Sequence, residues 1–340
     1  MAKALGFDFG SAYTAFCMED EREIGMLPSV VALDKKTQRV IASGNKAKEM
    51  TGRAPATISI VNPIQNGLVA DIASASLMIS HMLERIEVAS VFKRSEMVAT
   101  IPYGATKNDE RALESAILET GINTFDFVET PIAIALGAGM PLDIATGRMI
   151  VDIGAGHASA SIISHGGVVI SSTIKSAGNE MTKAVADYIA EEHGIDIGEL
   201  TAEIVKVKLG TLNPSSPPRS LRISGKVKAS KNPKHIDKIT ASAVITSHEL
   251  IPVLAPIANK ITDNIKNALE NIPPEISSDI SDFGILLSGG GAALNGMAAY
   301  IERSLRVKVT TTKAPALDAI RGVLRIINGG RAYAKFTKRK

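Results

Sequence analysis

Tryptophan is absent from the 340 residues, aromatic residues make up 4%, and Cys17 is the one cysteine. A lone thiol excludes an intrachain disulfide and points to a reducing compartment. With so few rings, the cores must be filled by Ala, Val, Ile and Leu, and the 45% hydrophobic content supplies them. No apolar run approaches the roughly 20 residues that a helix needs to span a bilayer. The opening Met1-Ala2-Lys3-Ala4-Leu5 lacks the hydrophobic centre of a secretion signal and runs directly into a strand. A net charge of +3 is too small to argue for a nucleic-acid partner. A cytoplasmic globular protein is expected. At 340 residues it exceeds the size of a single core, so two domains are expected as well.

What the chain does contain is a repeated arrangement. Leu5-Gly6-Phe7-Asp8-Phe9-Gly10-Ser11-Ala12 is an apolar strand that ends in Asp and small residues, and Met149-Ile150-Val151-Asp152-Ile153-Gly154-Ala155-Gly156 repeats it about halfway along. Such a turn exposes consecutive backbone N–H groups and lets a phosphate approach closely. Two pseudo-equivalent halves facing a shared cleft follow from the pair. A third glycine element, Ser288-Gly289-Gly290-Gly291, ends the apolar strand Gly284 to Leu287. Three consecutive glycines exceed what a turn needs and suggest a closely approaching ligand, although a strand-to-helix turn alone would also use glycine.

Helical spacing runs through Ser74 to Ile86, Asn108 to Thr120, Met181 to His193 and Met297 to Leu305. Pro131 to Ala138 reads as a small-residue helix capped by Thr130 with Pro131 first. His248 to Asn271 reads as a long helix disturbed early by Pro252 and Pro256. Asn213 to Pro218 is a loop, followed by basic strand-like sequence through Lys238. Strands alternating with helices give an α/β fold with covered sheets.

These motifs together resemble the MreB-type bacterial actins over nearly the whole chain. Asp8-Phe9-Gly10-Ser11-Ala12 is similar to the family's first phosphate loop and Asp152-Ile153-Gly154-Ala155-Gly156 to its second. Ser288-Gly289-Gly290-Gly291-Ala292 resembles its adenosine loop. Gly166-Gly167-Val168-Val169, Ala177-Gly178-Asn179-Glu180, Asn62 to Gly67, Ile101-Pro102, Gly137-Ala138-Gly139 and Arg321-Gly322 continue the pattern. The resemblance implies an actin-like (ribonuclease H-like) duplicated fold, with two halves around a nucleotide cleft and four subdomains. By analogy, 1–32, 71–145 and 315–340 form the first large subdomain and 33–70 the first small one. Residues 146–179 with 246–314 form the second large subdomain and 180–245 the second small one. ATP with Mg²⁺ is expected in the cleft, held by Gly10, Ser11, Ala12, Tyr13, Gly154, Ala155, Gly156, His157, Gly178, Gly289, Gly290, Gly291 and Ala292. Asp8 and Asp152 suit the waters of Mg²⁺, while each alone would read as a turn-capping residue. Glu203 and Lys206 resemble the adenosine-contacting pair, and a solvated helix face is the alternative.

Two departures fall at the chemistry. Where the family carries a Glu that positions the attacking water, the ungapped match places Thr130, with Glu129 one residue earlier. A hydroxyl can hold a water but is a poor base at neutral pH. Where the family has two threonines after the second glycine turn, this chain has His157-Ala158. His157 either donates to a phosphate oxygen or acts as a base when neutral; a solvent-exposed loop histidine is the equal alternative. Retained binding with slow hydrolysis is expected, with Thr130, Glu129, His157 and Asp152 as the catalytic candidates.

The resemblance also implies self-assembly into filaments that scaffold cell shape or position an organelle or plasmid. Val91-Phe92-Lys93-Arg94 occupies the place of a membrane-inserting loop, while Phe92 tucked into the core is the other reading. The amphipathic N-terminal helix of some relatives is not expected. The basic tail Arg331 to Lys340 reads as solvated, or as a contact for the inner membrane surface or an acidic partner. Another class remains in view: a sugar or acid kinase, or a regulatory ATPase that does not polymerise. Compact length and matches outside the nucleotide motifs argue against the kinase.

Overall fold

The computed structural model describes residues 4–21, 23–85, 95–227 and 240–339. Val91 and Phe92, the expected membrane loop, lie outside these residues.

Alternation sets the first strand. In β1 (Leu5–Phe9), Leu5, Phe7 and Phe9 share one face, and Gly6 and Asp8 share the other. β2 (Tyr13–Met18) returns antiparallel to β1, and β3 (Gly25–Pro28) pairs antiparallel with β2. The chain then leaves for a small sheet made of β4 (Val31–Asp34), β5 (Val40–Ser43), helix α1 (Asn45–Met50) and β6 (Ile58–Val61), with strand order β5-β4-β6. A short ribbon of β7 (Ile64–Gln65) and β8 (Leu68–Val69) follows. Helix α2 (Ile72–Arg85) returns the chain to β9 (Glu96–Ile101), which lies parallel to β1. Helix α3 (Lys107–Leu118) starts at a capping box made by Thr106 and Asp109 and leads to β10 (Thr124–Glu129), parallel to β9. Helix α4 (Thr130–Ala138) follows without a break.

The second half repeats this plan. β11 (Arg148–Ile153), β12 (Ala158–Ser164) and β13 (Gly167–Ile174) form an antiparallel meander. A second small region holds α5 (Gly178–Glu192), β14 (Ile195–Asp196), α6 (Glu199–Leu209), β15 (Ser220–Val227) and β16 (Thr240–Thr246). Helices α7 (Ile251–Glu270) and α8 (Pro274–Phe283) lead to β17 (Ile285–Ser288), parallel to β11. Helix α9 (Met297–Leu305) then leads to β18 (Val309–Thr311), parallel to β17. Strand orders β3-β2-β1-β9-β10 and β13-β12-β11-β17-β18 are therefore the same, with the same directions. Helix α10 (Asp318–Gly329) crosses back, and β19 (Thr337–Arg339) adds a sixth strand to the first sheet.

Three large cores follow from this layering. One lies inside the second half, and another holds Leu5, Phe7 and Phe9 under α2 and α3. The third joins the halves: Ile132 to Leu136 of α4 and Ile320, Val323 and Ile327 of α10 pack with Ile150 and Ile163 of the second sheet. Each such side chain contributes roughly 1.5–3 kcal/mol on burial, so the two halves share a stable base.

Three expectations need correction. Thr130 is the first residue of α4 and not its cap; Glu129 stands at the cap, still extended at the end of β10, and makes no side-chain cap bond. Pro131 is tolerated there because first-turn N–H groups have no helical acceptor. The long helix starts at Ile251, since a 3₁₀ turn over His248–Leu250 replaces its first turn, and Pro256 is accommodated inside. The tail is folded through Arg339: Tyr333 and Phe336 pack against the shared core, and β19 pairs antiparallel with the edge of β10.

Candidate functional site

The alternation that buries Phe7 and Phe9 turns Asp8 to the opposite face, into a cavity of about 610 Å³ between the halves. Thr100 Oγ1 donates to Asp8 Oδ1 at 2.7 Å. Burial pushes the Asp8 carboxyl up to about 6; Thr100 opposes the shift, Asp152 adds to it and His157 offsets it. Asp152, at the equivalent place on β11, is also pushed up to about 6, by burial and then by the charge of Asp318. Two partly buried carboxylates thus approach one another from pseudo-equivalent strands.

The turns after them form the cavity floor. Ser29 Oγ donates to the Gly10 carbonyl at 2.6 Å, and the Gly67 N–H donates to Ser11 Oγ at 3.1 Å. In the second turn the Gly154 N–H donates to the His157 carbonyl at 3.0 Å. The start of α5 leans on this turn, its Asn179 N–H donating to the Ala155 carbonyl at 2.8 Å. The halves touch at Gly156, where a methyl group would come within 2.9 Å of both Ser11 Oγ and Asn66 Oδ1. Only a bare backbone lets the turns approach this closely.

The wall beyond the floor comes from the third glycine run. Gly289 has φ +81°, and a methyl there would run into Asp152 Oδ1 and the Ile153 carbonyl. Gly290 and Gly291 begin a 3₁₀ turn, and Leu294, Asn295, Pro315 and Ala316 extend the lining. From α6 come Glu203 and Lys206. Lys206 Nζ donates to the Gly178 carbonyl at 3.0 Å and to Thr182 Oγ1 at 2.8 Å, and burial holds its pKa down. His157 also faces the cavity; its Nδ1 is buried and has no hydrogen-bond partner among the described residues. Burial lowers its pKa against the opposing charge of Asp8, which favours the neutral ring.

Of the expected residues, the cavity brings together Asp8, Gly10, Ser11, Ala12, Tyr13, Thr130, Asp152, Gly154, Ala155, His157, Gly178, Glu203, Lys206, Gly289, Gly290 and Gly291. Gly156 lies at the contact between the halves, and Ala292 is buried behind the glycine run. Glu129 stands outside the lining, where its Oε1 accepts from Lys338 Nζ at 2.7 Å. Strand alternation explains this: Glu129 shares the face of Phe127, and Val128 shares the face turned to α4. Sequence reasoning misses Thr100, Arg219 and Asp318, which also belong to the cavity or its carboxylates. Thr100 comes to Asp8 only because the fold lays β9 parallel to β1.

The donor set fits a hydrated divalent ion better than a protein cage. Among the described residues no group of three His, Cys, Asp or Glu side chains converges on one point. Asp8 and Asp152 supply two hard oxygen donors, and the bare turns leave room for phosphate oxygens and water to complete a shell. The orphaned Nδ1 of His157 also calls for a polar partner in the cavity.

A family model described as MreB/Mbl protein matches residues 2–335. The chain is 33% identical over 314 residues to the cell shape-determining protein Mbl of Bacillus subtilis (strain 168), covering 92% of each. It is 32% identical over 323 residues to the cell shape-determining protein MreB of Escherichia coli (strain K12), covering 94% of this chain and 91% of that one. The crystal structure of MreB 5 of Spiroplasma citri bound to AMPPNP superposes with a TM-score of 0.88 at 30% identity over 95% of both chains.

Proposed function

The chain belongs to the MreB/Mbl family and has its actin-like fold, and from that premise we propose that it binds Mg²⁺–ATP in the cleft and polymerises into cytoskeletal filaments. The observation that carries the reading is the pair of cavity-lining carboxylates, Asp8 and Asp152, above two glycine turns that meet at Gly156. Asp8 and Asp152 would hold the waters of Mg²⁺, which when bound offsets the phosphate charge. The two turns would clamp the phosphates, and the Gly289–Gly291 wall with α6 would take the nucleoside. This assignment agrees with the nucleotides named for MreB 5 of Spiroplasma citri, AMPPNP and ADP.

The curated relatives are named for cell-shape determination, so a shape scaffold is the preferred role. No helix among the described residues is long and apolar enough to cross a membrane. We place the protein in the cytoplasm, with peripheral contact to the inner membrane through Val91 and Phe92 and the basic tail. Hydrolysis is slow in this reading, because Thr130 lines the cleft where the resemblance expects a carboxylate.

Calorimetry with Mg²⁺–ATP, paired with sedimentation of the assembled protein, tests the proposal. Asp152→Lys removes one of the two carboxylates and puts an ammonium where the metal belongs, so Mg²⁺-dependent affinity should fall at least about tenfold, roughly 1.4 kcal/mol. Unchanged affinity and unchanged Mg²⁺ dependence would remove the assignment. A native chain that stays monomeric with ATP over a broad concentration range would remove the filament reading.

A further inference from the structure

At the mouth of the cleft, Lys48 of α1 reaches across to α6. Its Nζ lies 2.8 Å from Glu203 Oε2 and donates to Tyr13 Oη at 2.9 Å. The same ammonium sits 4.6 Å from the centroid of the Tyr13 ring. Tyr13 and Glu203 line the cleft, one from each half, and Lys48 stands just outside that lining. The ion pair is about three-quarters buried on both sides, with 25% and 28% of the side chains exposed. Burial alone would lower the pKa of Lys48, but Glu203 and Tyr13 outweigh it and raise it, so the charge persists at neutral pH. A cation held by a carboxylate, a phenol and an aromatic face is fixed more firmly than a surface pair.

We propose that Lys48 is a positioning residue that clasps Glu203 and Tyr13 across the cleft mouth and thereby slows nucleotide release. The inference rests on the reading of the cleft as a nucleotide site. Parting the halves at the mouth breaks the ion pair, while the phenol hydrogen bond, made within the first half, keeps the ammonium aimed at Glu203. The halves stay joined at the base through α4 and α10, so the mouth can open without unfolding the core. Without Lys48, the Glu203 carboxylate would be free to swing into solvent. Lys206, one turn further along α6, feels the charges of both partners besides the burial that lowers its pKa.

Stopped-flow release of a fluorescent ATP analogue, chased with unlabelled ATP in Mg²⁺, tests the clasp. Lys48→Met keeps the aliphatic stem and removes the charge. Its dissociation rate should rise about five- to tenfold, the size expected for a single partly desolvated, charge-assisted pair across the mouth. Association should change by less than about twofold. Lys48→Arg should return release to near the native rate, since a guanidinium can bridge the same two oxygens. Salt should accelerate release from the native chain more than from Lys48→Met, because only the native clasp is screened. Native release kinetics in Lys48→Met would overturn the clasp while leaving the nucleotide site intact. Fast release from both variants, with a lowered unfolding midpoint, would mark Lys48 as merely structural and overturn it too. No binding by the native chain would remove the reading of the cleft and the clasp with it.

Discussion

The two halves of the molecule carry the same strand order and the same Asp at the same place, yet they treat that Asp differently. In the first half, the parallel neighbour β9 supplies Thr100, whose hydroxyl donates to Asp8. In the second half, the parallel neighbour β17 places Ser288 opposite Asp152, but the Ser288 hydroxyl lies 3.1 Å from both the Pro315 carbonyl and Asp318 Oδ2 instead. The next residue is Gly289, pressed against Asp152 with no side chain of its own. One duplicated hairpin thus anchors its carboxylate, and the other leaves it open to the cavity. Duplication supplies the geometry, and a few changes at the neighbouring strand divide the labour.

The largest expected effect that tests this division is on stability. Both carboxyls ordinarily titrate near 3.8 and are pushed up to about 6 in the fold by burial. Between those values the folded chain binds more protons than the unfolded one. Without ligand, stability therefore falls as pH rises through about 4 to 6 and stays reduced above it. Asp152→Asn removes one buried charge and should stabilise the ligand-free protein at pH 7 by about 2 kcal/mol, while weakening Mg²⁺-dependent binding. Thr100→Val should raise the Asp8 pKa further, and Ser288→Ala should leave Asp152 without a comparable shift. Urea unfolding across pH checks all three. Equal responses of Asp8 and Asp152 to loss of their neighbouring hydroxyls would erase the asymmetry.

Much of this was legible in the residues. Asp8 and Asp152 announced themselves because a strand of alternating burial must deliver its one carboxylate to a definite face, and a glycine turn follows each. The run Gly289–Gly291 was legible for the same reason. Helices with strong apolar periodicity came within a few residues: α3 was expected at Asn108 to Thr120 and runs Lys107–Leu118. Tertiary facts were not legible. Nothing in the sequence singles out Lys48, which meets Glu203 only because the fold carries α1 to α6. The basic tail reads as solvated because charge dominates its composition. Its anchors are the rings of Tyr333 and Phe336, whose partners in the shared core lie far away in sequence.

A smaller effect asks which half aligns the attacking water. Thr130 enters the cleft from the first half and His157 from the second. A carboxylate accepts a charge-assisted hydrogen bond of roughly 1.5–3 kcal/mol, which acting in the transition state corresponds to about ten- to a hundredfold in rate. Thr130→Glu should therefore speed phosphate release by about tenfold or more with ATP affinity little changed. His157→Thr in the same background separates the contributions. Vigorous release by the native chain, abolished by His157→Ala, would move the role to the second half.

The smallest effect concerns the sixth strand, which only the first half possesses among the described residues. β19 covers the edge of β10, and Lys338 reaches Glu129 there with 56% of its own side chain exposed. A pair this wet is worth about 0.2–1 kcal/mol, so Lys338→Ala should lower the unfolding midpoint only slightly. Its value lies in what it does to Glu129. If that carboxylate were a reserve base for the cleft, freeing it from Lys338 would raise phosphate release. Strand alternation turns Glu129 to the face of Phe127, away from Asp8, and a single residue cannot change face without slipping the register of β10 against β9. Such a slip would expose Phe125 and Phe127, both buried in the core under α2 and α3. Lys338→Ala should therefore leave phosphate release within about twofold of the native rate, a difference of less than roughly half a kcal/mol. A tenfold rise would mean that the tail restrains a catalytic group, and that the sixth strand regulates the first half instead of only closing its edge.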